Sequence, residues 1–204
     1  MQNPAMFLQK PRQAEQSLAM VVPSLELEHL WFRLTARNQP ASLVLVPAET
    51  GVSTLTMTQS LAALAAEQPA SRVLVVNASL RDCLPPRGPG GADVGLDDFR
   101  AYTVEGVRPN CDFIDLSGLH VDDGEHALAL APQLLDAMLA EGKHYTTALF
   151  SVDSLLFQTR AIPLVRSLDA AVLCFSLGRT TFAAARQLVE LAGRDKVLGA
   201  VALR

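Results

Sequence analysis

Short apolar runs rich in branched residues recur along this chain and alternate with segments of helical composition. The first run spans residues 43–46, and a helix-like stretch at residues 56–67 follows it. An uncharged run of this length is typical of a strand buried on both faces, and strands that alternate with helices pair in parallel through crossover connections. The pattern predicts an α/β fold, with a mainly parallel sheet and helices on both faces. Five further strands are predicted at residues 72–77, 111–116, 147–152, 170–175 and 197–203.

A helix is predicted before the first strand, at residues 25–37. Leu27, Trp31 and Leu34 recur there at helical spacing, and Ser24 is placed to cap the first turn. The remaining helices are predicted at residues 96–102, 127–141 and 181–192, and the proline- and glycine-rich residues 82–95 are predicted to be a loop.

The domain organisation follows from the proline content and the length. Residues 1–24 contain three prolines in polar sequence and are expected to form a partly flexible N-terminal arm. Residues 25–204 are of the right length for a single α/β domain with one well-buried core.

The amino-acid composition excludes several classes of function and location. A net charge of -4 over 204 residues, without any Lys/Arg run, disfavours nucleic-acid binding. The three cysteines are widely separated, which fits neither a disulfide framework nor a zinc site. No stretch is long and apolar enough to span a bilayer, so a cytoplasmic location is expected.

The loop after the first strand is where a ligand site is expected, because ligands of open parallel sheets bind beyond the carboxyl ends of the strands. This loop reads PAETGVSTLT. It resembles the loop S-A-E-P-G-E-G-K-S-T of the cytoplasmic bacterial tyrosine kinases of capsule and exopolysaccharide systems, which belong to the ParA/MinD group of P-loop ATPases. Ala48, Glu49, Gly51 and Thr56 fall on matching positions.

The resemblance covers about residues 25–204. Residues 73–81, VLVVNASLR, correspond to the family's second-strand motif V-L-L-I-D-A-D-L-R, and residues 148–154, ALFSVDS, to its third motif I-I-D-T-P-P. Residues 169–203 resemble the family's succession of a strand, a Gly-Arg-Thr turn, a helix and a final strand. The order and spacing of these parts imply a P-loop NTPase-like fold.

The chain departs from the family pattern at the residues that would hold phosphate and magnesium. Thr54 stands where the family has the lysine that reaches the β- and γ-phosphates. Leu55 replaces the hydroxyl residue that ligates Mg²⁺, and Ser53 replaces a glycine that lets the backbone approach the phosphates. The resemblance therefore implies that the loop has lost its phosphate clamp.

The acidic positions of the family are altered as well. Asn77 and Ser79 replace the two acids after the second strand, and Ser151 replaces the acid after the third motif strand. Asp153, two residues further on, is a candidate shifted substitute for that acid. The predicted degenerate nucleotide site comprises Glu49, Thr50, Gly51, Val52, Ser53, Thr54, Leu55, Asn77, Ser79, Ser151 and Asp153.

These changes predict no catalytic residue, no metal site and no cofactor, apart from weak binding of ATP, ADP or another anion at the helix N-terminus.

Three alternatives stay open. Serine, threonine and asparagine are ordinary turn and cap residues, so the fold could belong to a protein that never bound nucleotide. An unorthodox ATPase could use Lys143, Arg179 or a partner's basic residue in place of the lysine. A ParA/MinD-like positioning factor is the third, although no amphipathic helix of the MinD type is evident after Val197.

The resemblance implies that the chain is a pseudo-kinase, which acts as an adaptor or regulator. It would act in exopolysaccharide or adhesin export, and hence in biofilm formation. Tyr102 and Tyr145 are the two tyrosines of the chain, which lacks the C-terminal tyrosine cluster of active members. The expected partner is the cytoplasmic part of a membrane polysaccharide co-polymerase or a related export protein, which would hold the chain at the inner membrane. Trp31, Phe32 and Arg33 on the first helix are the candidate partner-binding residues.

Ring assembly through the first helix is a separate question. The family forms rings through an E-x-x-R-x-x-R helix before the first strand. Here Glu26, Glu28 and Arg33 are present without the spacing of the two arginines, so homo-oligomerisation is left open.

Three other groups of reactive side chains are set aside. Cys174 lies in an apolar strand and is expected in the core. Ser151, Asp153 and His144 lack the G-x-S-x-G elbow of a hydrolase. A cluster of potential ligands without an established metal-binding spacing is interpreted as a solvated loop: His120, Asp122, Asp123, Glu125 and His126.

Overall fold

Seven strands form one sheet in the described part of the chain, in the order β3-β4-β2-β5-β1-β6-β7. The computed structural model describes residues 25–36, 40–80, 103–105, 110–118 and 145–203, and isolated positions between 125 and 133. The strands are β1 (Ser42–Pro47), β2 (Val73–Asn77), β3 (Thr103–Glu105), β4 (Cys111–Asp115), β5 (Thr147–Ser151), β6 (Ala170–Ser176) and β7 (Val197–Leu203). The helices are α1 (Leu25–Thr35), α2 (Leu55–Ala66), α3 (Ile162–Ser167) and α4 (Phe182–Ala192), with 3₁₀ turns at Leu116–Gly118 and Thr159–Ala161.

The sheet is parallel except for β3, which pairs antiparallel with β4. The central strand β1 pairs in parallel with β5 on one side and β6 on the other. The carboxyl ends of six strands therefore meet at one edge of the sheet. The chain leaves β1 towards β2 and returns through β5 before it crosses to β6, so the strand order changes direction beside β1. Ligands of open α/β sheets bind at such a switch point.

The core lies on both faces of the sheet, and β1 shows why. All six residues of β1 are buried. Leu43 and Leu45 pack towards α1 and α2, whereas Val44 and Val46 pack towards α3 and α4. Burial of one such side chain stabilises the fold by roughly 1.5 to 3 kcal/mol, which explains why the strand has no polar face. The predicted α/β class with a mainly parallel sheet is confirmed.

Two elements were not predicted from the sequence. The edge strand β3 has three residues, too few for a recognisable alternation. The helix α3 has six residues and a proline in its first turn, so it is too short for helical periodicity. Most predicted boundaries shift by one or two residues; for example, α1 ends at Thr35 rather than at residue 37, and β4 ends at Asp115 rather than at residue 116.

Several predictions lie outside the described residues. They include the N-terminal arm at residues 1–24, the loop at 82–95, the short helix at 96–102 and most of the helix at 127–141, of which residues 128, 129, 132 and 133 are helical. Among the described helices, none combines the length and the apolar character needed to cross a membrane.

Candidate functional site

The loops that follow β1, β2, β5 and β6 converge at the carboxyl edge of the sheet. They bring together the residues that were predicted from the sequence to form a degenerate nucleotide site. The loop after β1 turns at Gly51, whose φ of 88° is a conformation that favours glycine. Thr54 precedes α2 at the N-cap position, but its side chain makes no cap hydrogen bond.

Thr54 points into the protein. Its side chain is 1% exposed, and its hydroxyl donates to the carbonyl oxygen of Leu45 at 3.3 Å. The same hydroxyl lies 2.9 Å from the hydroxyl of Ser151, which is also buried. A hydroxyl carries one hydrogen, so Ser151 donates to Thr54 when Thr54 donates to Leu45. The residues at the positions of the phosphate-binding lysine and of the third-motif acid thus satisfy each other.

Asn77 joins the ends of β2 and β4. Its amide nitrogen donates to Asp115 at 2.9 Å, and its amide oxygen accepts from the backbone N–H of Ser79 at 3.3 Å. The same oxygen of Asp115 also accepts from the backbone N–H and the hydroxyl of Ser117, at 3.0 and 2.6 Å. These contacts give Asn77 and Asp115 a role in holding two strand ends together.

Asp153 connects the loop after β5 with the loop after β2. One carboxylate oxygen accepts from the hydroxyl of Ser79 at 2.8 Å, and the other accepts from the backbone N–H of Leu80 at 2.9 Å. The backbone N–H of Ala78 adds a bond to the carbonyl oxygen of Ser151 at 2.8 Å. Asp153 is therefore present at the site, and both of its oxygens accept hydrogen bonds from the neighbouring loop.

Glu49 anchors the first loop to the end of β6. Its carboxylate accepts from the backbone N–H of Ser176 at 3.3 Å and from the hydroxyl of Thr180. Burial raises the pKa of Glu49, but the hydrogen bonds from Thr180 and Ser176, together with the charge of Arg179, outweigh it and lower the pKa below 4.5. Glu49 is thus ionised at neutral pH.

The charge of the site is unlike that of a phosphate-binding loop. Glu49, Asp115 and Asp153 contribute three carboxylates. Over the described residues of the converging loops, 48–54, 78–80, 116–118, 152–158 and 177–181, Arg179 is the one basic residue. It lies close enough to Glu49 to lower its pKa. Phosphate groups bind where positive charge faces them, and in these described ranges Arg179 alone could supply it.

The other reactive groups do not form a second site among the described residues. No group of three or more potential ligands is placed to hold a metal in that part of the chain. Glu125, from the cluster interpreted as a solvated loop, forms an ion pair with Arg160. Burial raises the pKa of Cys174 to about 12, as expected of a core thiol. His120, Asp122, Asp123, His126, Lys143, His144 and Tyr102 lie outside the described residues.

Tyr145 lies at the opposite, amino edge of the sheet. Its hydroxyl donates to Asp112 at 2.8 Å, and the guanidinium of Arg72 lies 5.6 Å from the centre of its ring. Burial and the carboxylate of Asp112 raise the pKa of the phenol. This tyrosine serves as a link between strands.

The candidate partner-binding residues on α1 separate into two groups. Trp31 is 6% exposed and belongs to the core, whereas Phe32 is 71% exposed and Arg33 lies on the surface. Neighbouring residues of a helix point to different sides, and only one of these two aromatic residues is accessible. Trp31 is not part of an accessible surface.

Exposed apolar side chains at the carboxyl edge were missed from the sequence. Phe157 follows β5, Leu177 follows β6 and Phe182 begins α4, with exposures of 68%, 59% and 85%. The strands β5, β1 and β6 are adjacent, so these side chains flank the degenerate loop. No pattern in the sequence marks these three residues, and only the strand order places them at one edge.

Comparison with known proteins identifies the fold. The kinase domain of the Escherichia coli tyrosine kinase ETK is 19% identical, with 86% of this chain and 71% of that chain covered and a TM-score of 0.63. The VpsO kinase domain is 15% identical, with 94% of each chain covered and a TM-score of 0.63. A ParA family ATPase from Chlorobium tepidum is 14% identical, with 81% and 74% covered and a TM-score of 0.50. No family model matches the chain, and no curated protein matches it in sequence. The chain thus has the ParA/MinD-like P-loop fold of bacterial tyrosine kinase domains.

Proposed function

We propose that this chain is a catalytically inactive, pseudo-kinase form of the P-loop fold, with a degenerate Walker A loop. The observation that carries the proposal is the buried contact between Thr54 and Ser151. In an active site of this fold, these positions face phosphate and metal, whereas here they face each other. Six altered positions at one site favour loss of activity over random drift: Ser53, Thr54, Leu55, Asn77, Ser79 and Ser151.

The energetics support the same conclusion. A triphosphate at this edge would meet Glu49, Asp115 and Asp153 without a lysine to neutralise it among the described residues. Like charges a few ångströms apart repel each other most strongly where water is excluded. Free N–H groups at the start of α2 can still attract an anion, but weakly. The proposal therefore includes no tight nucleotide cofactor and no metal.

We further propose that the chain acts as an adaptor or regulator in bacterial exopolysaccharide or adhesin synthesis and export. The fold of bacterial tyrosine kinase domains supports this assignment. The partner would be the cytoplasmic part of a membrane polysaccharide co-polymerase or a related export protein. The contact surface would be Phe157, Leu177 and Phe182, because exposed aromatic and aliphatic anchors dominate the binding energy of interfaces. A cytoplasmic chain would reach the inner membrane through this partner.

Two measurements test the proposal. Titration calorimetry with Mg·ATP and Mg·ADP should give no micromolar binding, and micromolar binding with turnover would contradict it. The chain should co-purify with the cytoplasmic part of a polysaccharide co-polymerase, if a neighbouring gene encodes one. Phe157→Ser and Phe182→Ser should each weaken this complex. Phe32→Ser, an equally exposed aromatic on α1, is the matched control and should leave the complex intact. If the complex is lost in Phe32→Ser and kept in the other two variants, the contact surface lies on α1.

An unorthodox ATPase is the second candidate, because one observation favours it. Arg179 lies close enough to the first loop to lower the pKa of Glu49, so it is placed to approach an anion there. This candidate predicts nucleotide binding that Arg179→Ala abolishes. The proposed inactive adaptor predicts the same negligible binding for the natural chain and for the variant.

A further inference from the structure

The two edges of the sheet differ in how they are protected from pairing with another strand. At one edge, β3 has three residues. At the other, β7 has seven residues and no charged side chain between Val197 and Leu203. Short or charged edge strands resist association, whereas a long uncharged one offers a row of unpaired backbone N–H and C=O groups. Within the described residues, β7 pairs with β6 alone.

Both faces of β7 are open near its middle. A methyl group placed on Gly199 would meet no atom within 4 Å, and Ala200 and Ala202 are exposed. A groove of about 570 Å³ separates β7 from α4 and is lined mainly by apolar side chains. Among the described elements, α4 covers β6 and none covers β7, so the open surface consists of both the backbone edge and the side chains of this strand.

The sequence of β7 fits a second copy of itself. A register shift beside Leu198 leaves Gly199–Leu203 as the regular part of the strand. If two copies pair antiparallel about a twofold axis at Val201, Gly199 lies opposite Leu203, and Ala200 lies opposite Ala202. The largest side chain then faces the smallest, and no charged residue faces its own copy. A twofold pairing places Val201 opposite its own copy and Ala200 diagonally across from its own copy, so a strand without charges suits it.

We propose that β7 is a dimerisation strand, which joins two copies of this chain into one continuous sheet through antiparallel β7–β7 pairing. The groove beside β7 includes Phe182, so this surface borders the carboxyl edge proposed for an export partner. A dimer would therefore present two copies of that edge at once. Two linked binding surfaces raise the apparent affinity for a partner that is itself oligomeric.

Substitutions that introduce a positive or a negative charge on β7 test the proposal with the full chain. The natural chain should sediment as a concentration-dependent dimer. Ala200→Lys and Ala200→Glu, made at an exposed position, should each weaken dimerisation about 2- to 5-fold, because Ala200 lies diagonally across the twofold axis from its own copy and like charges there repel each other. An equimolar mixture of the two variants should recover the dimer. Ala41→Lys, an exposed alanine before β1, is the control and should dimerise like the natural chain.

The outcomes separate a true interface from misfolding. Circular dichroism and thermal unfolding should show that both Ala200 variants keep the fold, and recovery in the mixture cannot arise from unfolded chains. A natural chain that stays monomeric at several hundred micromolar would overturn the proposal, as would a dimer that Ala200→Lys leaves unchanged. Failure of the mixture to dimerise while both variants are folded would also overturn it.

Discussion

The hydroxyl of Thr54 lies 2.9 Å from the hydroxyl of Ser151, and both side chains are buried. Thr54 lies in the loop after β1, and Ser151 ends β5 where the loop after that strand begins. In a nucleotide-binding P-loop protein these two loops would face the ligand. Here the two loops close on each other through neutral groups. The interior of the predicted nucleotide site is thus part of the folding core, and this makes its residues testable by stability measurements.

Removal of the Thr54 hydroxyl is expected to destabilise the protein. Thr54→Val keeps the shape of the side chain but leaves the buried Ser151 hydroxyl and Leu45 carbonyl without this partner, which should lower the free energy of unfolding by about 1 to 2 kcal/mol. Urea denaturation measures the change. Ser151→Ala should cost less, and the double variant should cost less than the sum of the two. Thr56→Val, at an exposed position on α2, is the control. Strict additivity would contradict the contact.

Asp153 is expected to matter for stability because it joins two loops. Asp153→Ala leaves the hydroxyl of Ser79 and the backbone N–H of Leu80 without their acceptor, and should lower the free energy of unfolding by about 2 to 3 kcal/mol. Asp195→Ala removes an exposed carboxylate and should change it by less than about 0.5 kcal/mol. Equal effects of the two substitutions in chemical denaturation would show that the Asp153 contacts contribute nothing.

The lowered pKa of Glu49 predicts a pH dependence of stability. The folded pKa lies below 4.5, so the folded state favours the carboxylate. The contribution of Glu49 is present above pH 4.5 and is lost as the pH falls through the folded pKa. Unfolding free energies should therefore fall less steeply between pH 5 and pH 3, roughly the titration range of a carboxyl group, in Glu49→Gln than in the natural chain. Parallel pH curves for the two proteins would refute this role of Glu49.

Cys174 should be inert in the folded protein. It is fully buried, and burial raises the pKa of its thiol to about 12, so little thiolate forms at pH 8, roughly the pH of standard thiol labelling. Iodoacetamide labelling followed by peptide mass spectrometry should find Cys174 unmodified in native buffer and modified in urea. Labelling of Cys174 in native buffer at the rate seen in urea would contradict its placement in the core.

The strands could be predicted from the sequence because burial on both faces leaves a strong signal. Leu43–Val46 is apolar without interruption, and a short run of that kind between turn residues is typical of a buried strand. The strand β3 and the helix α3 carried no such signal, because three and six residues are too few to show a period. Their place in the fold depends on neighbours that are distant in the sequence.

The residues that the sequence predicts for a nucleotide site lie together in the fold, but their contacts with one another could not be predicted from the sequence. Nothing in the positions of Thr54 and Ser151 along the chain indicates that their hydroxyl groups meet, since 97 residues separate them. The exposed Phe157 and Phe182 likewise gain meaning only from the adjacency of β5, β1 and β6. Trp31 was predicted as a partner-binding candidate and is instead buried, because its position on α1 faces α2 and the sheet.

Phosphate transfer from radiolabelled Mg·ATP tests the loss of catalysis most directly. The purified full chain should release no labelled phosphate above the buffer blank and should not label itself at Tyr102 or Tyr145. A parallel reaction with Thr54→Val, which alters the site without adding a charge, should give the same blank value. Saturable turnover or self-labelling by the natural chain that disappears in Thr54→Val would contradict the proposed loss of catalysis.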